Sequence, residues 1–90
     1  MATHNLLDRA ISLHAEGKED EAFDIYQKLI NQNSGEFAPY LNASSILRKK
    51  QKLIEAVNLL QIAINKYPTE SGLYNNMGNC LIDQGKDLLA

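Results

Sequence analysis

Two asparagines, Asn42 and Asn76, stand 34 residues apart in this chain. A primary amide carries both donors and an acceptor, so amides in a row can hold an extended backbone without reading its side chains. Ser45 and Lys49 follow Asn42 at helical spacings of three and seven, and Asn79 and Asp83 follow Asn76 in the same way. A plainer reading leaves all of these as polar residues on a wet surface. A second group, Arg48-Lys49-Lys50-Gln51-Lys52, puts four cations in five residues. Such a run suits a phosphate, a nucleic acid or an acidic peptide. It equally suits the last turn of a helix, where positive charge offsets the macrodipole by about 0.3–1 kcal/mol. The acids in Gly17-Lys-Glu-Asp-Glu-Ala22 fit the first turn of a helix for the same electrostatic reason.

Other reactive residues do not combine. His4 and His14 lie ten residues apart, about 280° around a helix, so they do not converge on a metal. Cys80 is the only cysteine, which rules out an internal disulfide and a four-Cys metal site. No Ser–His–Asp or Cys–His set has workable spacing, no paired carboxylates mark a cleft, and no Gly-rich phosphate loop is present. These readings predict no catalytic residues, no metal and no cofactor, and so no enzyme within these residues.

The elements that must position the polar residues are helices. Alternating patterns typical of strands are hard to find, whereas apolar residues recur at helical spacing throughout. Leu6, Ala10 and Leu13 form one stripe; Ala22, Phe23, Tyr26, Leu29 and Ile30 form the next. Tyr40, Ala43, Ser44 and Leu47 come after, then Ala56, Leu60, Ala63, Ile64 and Tyr67, then Leu73 or Tyr74 with Met77 and Leu81. Breakers lie between them: Gly17, the stretch 31–36, the basic run at 48–52, the stretch 67–72 with Pro68, and Gly85. The pattern predicts helices near 4–16, 20–32, 38–50, 53–66 and 72–84, with a sixth beginning at 86.

The pattern also repeats. A shift of 34 residues brings Leu6 onto Tyr40 and Tyr74, Ala10 onto Ser44 and Gly78, and Leu13 onto Leu47 and Leu81. It brings Gly17 onto Gln51 and Gly85, Ala22 onto Ala56 and Ala90, Tyr26 onto Leu60, Ile30 onto Ile64, and Ser34 onto Pro68. Large residues meet large ones and small residues meet small ones, with no gap. The small positions suit two helices in close approach, and the large ones fill the space between hairpins. A hairpin of this kind cannot bury its apolar face alone, so neighbours stack.

A 34-residue helix–turn–helix repeat with these residues resembles the tetratricopeptide repeat. Tyr74-Asn-Asn-Met77-Gly78 with Leu81, Gly85 and Ala90 carries the third copy, and Tyr40, Ala43, Ser44, Leu47, Ala56, Leu60, Ala63 and Pro68 carry the second. The first copy departs from the family pattern at Arg9, Leu29 and Ser34. The resemblance implies an all-α right-handed superhelical solenoid of about two and a half repeats, at 3–36, 37–70 and 71–90, in one domain. It implies a concave groove lined by the first helix of each repeat, and puts Asn42, Ser45, Lys49, Asn76 and Asn79 there as residues for a peptide or protein partner. The Asn-Asn-Met-Gly-Asn phrase is similar to repeats of the O-linked N-acetylglucosaminyltransferase type and of bacterial glycosyltransferases with such arrays. In those, inward asparagines hold a bound polypeptide. The family's terminal-carboxylate clamp is not expected, because Leu7, Ile11 and Gly72 occupy its positions and only Asn42 fits.

Composition sets the bounds. Net charge is −2, which argues against a general nucleic-acid binder. No apolar run approaches the roughly 18 residues that span a membrane, and the start lacks a secretory pattern. Together with the lone cysteine, this predicts a cytoplasmic chain, so Asn42-Ala-Ser44 reads as a chance glycosylation match. Leu73, Met77 and Leu81 are expected to lie open on an uncovered third repeat. Three functions stand as expectations: an interaction module holding a partner segment in the groove, the first part of a longer bacterial glycosyltransferase or other transferase, or a homo-oligomer formed through Leu73, Met77 and Leu81.

Overall fold

The structure, a computed structural model, describes the backbone of residues 2–89 and the side chains of residues 6–86. Five helices account for nearly all of it: α1 Ala2–Ala15, α2 Glu19–Asn31, α3 Ala38–Lys49, α4 Leu53–Lys66 and α5 Ser71–Leu89. No strand occurs among the described residues. Each helix packs on the next in the chain, and α3 also touches α5. The body is elongated, 46 × 29 × 18 Å, as expected when neighbours stack mainly in sequence order.

The turns come from backbone hydrogen bonding rather than side-chain caps. After α1, Gly17 takes φ +85°, and the N–H of Lys18 bonds the Leu13 carbonyl at 2.9 Å. After α3, Gln51 takes φ +64°, and the N–H of Lys52 bonds the Leu47 carbonyl at 2.9 Å. These are two copies of one Schellman stop, 34 residues apart. Glycine adopts the left-handed conformation without the steric cost that Gln51 bears. Asn33 stops α2 in the same way, with φ +54° and the N–H of Ser34 on the Leu29 carbonyl at 3.2 Å.

The core has two parts. In one, Leu7 and Ala10 of α1 meet Ala22, Tyr26 and Leu29 of α2, with Ala43 and Ile46 of α3. In the other, Tyr40 and Leu47 of α3 meet Ala56, Leu60 and Ala63 of α4, with Leu73 and Cys80 of α5. Helix α3 therefore serves both. Tyr26 is the largest of the fully buried side chains. Burying such a residue stabilises the fold by about 1.5–3 kcal/mol relative to leaving it in water. The small residues do what their size suggests: Ala10, Ala22, Ala43, Ala56 and Ala63 have no exposed surface at all.

Three expectations fail in α5. Gly85 does not end it: the helix runs on to Leu89. Gly17 and Gln51 take positive φ and turn the chain, whereas Gly85 stays within the helix. Continuing the helix then adds hydrogen bonds that a turn would forfeit. The sixth helix expected from residue 86 is accordingly absent among the described residues. Leu73 is not open either: it has no exposed surface and packs against α3 and α4. Met77 is half-buried, so of the three only Leu81, 51% exposed, lies open.

Candidate functional site

Helices α3 and α5 approach each other along a cleft of about 400 Å³, lined by Ser44, Ser45, Arg48, Lys49, Gln51, Asn76, Cys80 and Asp83. Its walls come from helical spacing. Ser44 and Ser45 share one turn of α3 with Arg48 on the next, and Asn76, Cys80 and Asp83 lie on successive turns of α5. Three of the five sequence-predicted residues, Ser45, Lys49 and Asn76, meet here. Asn42 and Asn79 do not line the cleft.

The two asparagines expected to act alike do not. The Asn76 amide donates to the Leu41 carbonyl at 3.3 Å and to the hydroxyls of Ser44 and Ser45 at 3.4 and 3.1 Å. A carbonyl only accepts, so the nitrogen is the atom that faces α3. Ser44 and Ser45 in turn donate to the same Leu41 carbonyl at 2.8 and 3.1 Å. Asn76 thus fastens α5 to α3 with its donors, and its amide oxygen is the group left for another molecule. Asn42 instead neighbours the buried Tyr26 hydroxyl. Burial pushes that phenol's pKa up, and Asn42 pulls it the other way. The two differ because Asn76 crosses to the serines of α3, which have no counterpart in α1: Ala10 and Ile11 stand at the positions of Ser44 and Ser45.

The basic run is paired rather than simply solvated. Arg48 donates through Nε to Asp83 at 2.6 Å and through an Nη at 3.4 Å, a two-point contact across the cleft. The hydrogen bond from Arg48 holds the Asp83 carboxyl below the usual range, its charge adding to the effect, and Asp83 raises the arginine in return. Lys49 reaches Glu19 at 2.9 Å, and Lys50 reaches Asp20. These last two join the C-terminus of α3 to the N-terminus of α2, so each charge also faces a favourable helix end. Lys49 therefore enters the cleft already engaged.

Sequence reading put Arg48 in the run and Asp83 on the same stripe as Asn76, but did not pair them. The signal was their separation of 35 residues, one repeat plus one position. Cys80 is 1% exposed, and burial pushes its pKa up. His14 donates to or accepts from the Tyr26 hydroxyl at 3.3 Å, while the side chain of His4 lies outside the described residues. Among the described residues no three His, Cys, Asp or Glu side chains gather as they would around a metal, and no helix is long and apolar enough to cross a membrane. Compared with known proteins, the chain matches no family model and no curated sequence.

Proposed function

We propose that this chain is a protein-interaction module, a right-handed stack of tetratricopeptide-type hairpins that takes an extended partner segment in the α3–α5 cleft. One observation carries the reading: Ser45, Lys49 and Asn76, expected together in one groove, line a single cleft. That cleft offers what an extended backbone needs. The Asn76 oxygen accepts, Lys49 and Arg48 donate, and Asp83 accepts at the far end. The walls are braced by the Asn76 and Arg48–Asp83 contacts, so little conformational freedom is lost on binding. Each backbone hydrogen bond to such a group contributes about 0.5–1.5 kcal/mol, which makes a partner of moderate affinity.

The test uses a displayed library of random peptides selected on the whole chain. Selected peptides are expected to lose about 0.5–1.5 kcal/mol of binding for Lys49→Ala, and a similar amount for Asn76→Ala, while helicity by circular dichroism holds. A selection that yields only peptides indifferent to both substitutions would sink the reading.

A further inference from the structure

Arg48 uses only one of its two forks. A guanidinium holds five N–H donors in one plane: a side-on pair from Nε and one Nη, and an end-on pair from the outer edges of both Nη atoms. Asp83 takes the side-on pair, at 2.6 Å from Nε and 3.4 Å from Nη2. Among the described residues nothing accepts from the end-on pair. The Arg48 side chain is 41% exposed, against 18% for Asp83, so solvent reaches it on the side away from that carboxylate. Lys49 stands beside it in the lining. Its side chain is 71% exposed, and its ammonium bonds Glu19 alone, which leaves two of its three N–H donors unused.

The other end of the cleft is the reverse. Asn76, Ser44 and Ser45 turn their donors to one another and to the Leu41 carbonyl, so what they leave for a ligand is acceptors. Cys80, between the two ends, is a thiol whose pKa burial raises, so it adds no charge. The cleft is therefore polarised, with acceptors at Asn76 and cationic donors at Arg48 and Lys49. Asn76 and Asp83 are seven residues apart on α5, about 10 Å along its axis. That is the length of about three residues of extended chain, so one segment reaches both ends. We propose that the free end-on fork of Arg48, with Lys49 beside it, takes an aspartate or glutamate side chain of the partner segment. This rests on the reading of the chain as an interaction module and adds the class of side chain that the module selects. A carboxylate is planar and accepts both bonds of the fork at once, which a single backbone carbonyl oxygen does not match. The net charge of −2 disfavours a nucleic-acid phosphate at the same place.

The probes are the peptides selected from the displayed library whose binding depends on Asn76. Each is remade with Asn for one Asp, or Gln for one Glu, at a time, and both forms are titrated into the whole chain. At one position the amide form is expected to bind about fivefold more weakly, the upper range for an ion pair that solvent reaches. Arg48→Gln is expected to bring the acid and amide forms to equal affinity, and Arg48→Lys, which keeps the charge and loses the fork, to restore only part of the difference. If Arg48→Gln weakens both forms equally, Arg48 only holds α5 in place and the proposal falls. Peptides that depend on Asn76 yet tolerate every amide replacement also overturn it, while leaving the interaction module standing. Peptides indifferent to both Asn76 and Lys49 remove the two together. Displacement of the peptide by a single-stranded oligonucleotide, lost in Arg48→Gln, overturns the proposal by making phosphate the anion.

Discussion

Helices α3 and α5 carry the same stripe in the same register, and only one of them is covered. Tyr40 is 4% exposed and Leu47 6%, against 47% for Tyr74 and 51% for Leu81. The side chains are of similar size, so the difference belongs to the neighbour and not to the residue. Helix α4 folds back over α3 through the Gln51 turn, while α5 continues through Gly85. The hydroxyls report the same contrast. Tyr40 accepts from Lys66 at the end of α4, whereas Tyr74 reaches back to the loop that precedes its own helix. A repeat unit's apolar face is a demand for cover, and sequence identity at the face does not say whether the demand is met.

The sharpest way to break this comparison is to truncate the two leucines. Leu47→Ala is expected to cost about 2–5 kcal/mol, the range for a buried leucine that leaves a cavity. Leu81→Ala is expected to fall within about 0.5 kcal/mol of the parent, as exposed substitutions do. Urea midpoints of the two variants measure the difference. Equal losses would mean that α5 is covered in solution.

Helix number, order and most boundaries were legible because helical spacing and breakers act locally. The observed helices start and stop within two residues of the expected positions up to α5. Most of the apolar stripes that build the core were legible for the same reason, although Ile46, 1% exposed, belongs to none of them. From α3 it packs against α1 and α2, a contact with two helices at once that a single stripe does not describe. What sequence could not show was where α5 departs from the repeat. Gly85 permits a left-handed turn but does not compel one, because helix and turn compete for the same backbone groups. The cleft was half legible. Register identified Ser45, Lys49 and Asn76, but it treated Asn42 and Asn76 as equal rungs. Their partners sit on different helices, and side-chain pairing across helices leaves no local trace. The Arg48–Asp83, Lys49–Glu19 and Lys50–Asp20 pairs were hidden for that reason.

A middle-sized effect sharpens the same contrast at the small positions. Gly78→Ala is expected to stabilise the chain by up to about 1 kcal/mol, the difference in helix propensity, because the added methyl meets open space. The equivalent Ser44 is fully buried and donates to the Leu41 carbonyl, so enlarging it to Leu is expected to cost about 1–3 kcal/mol through overpacking. Thermal midpoints of the two variants check this pair. A destabilised Gly78→Ala would show that something already occupies the space above it.

The smallest effect concerns how α5 is held. Its apolar cover is partial, so polar contacts with α3 matter more there than anywhere on α3. The Arg48 hydrogen bond lowers the pKa of Asp83 in the folded chain. A lowered folded value means that the pair's contribution is fully present above the ordinary aspartate range and is lost as pH falls through the folded value. Solvent reaches both partners, 41% exposed for Arg48 and 18% for Asp83, which keeps the contribution small. Amide exchange in α5 is therefore expected to accelerate relative to α3 as pH drops below about 4. Asp83→Asn is expected to weaken α5 near neutral pH and to remove that part of the acid response. Asp20, likewise lowered by its hydrogen bond to Lys50, ties α2 to α3, so its protonation is expected to leave α5 exchange unchanged. If wild type and Asp83→Asn lose α5 protection in parallel on acidification, the Arg48 contact does not hold the helix, and the Asn76 amide is left as its polar fastening.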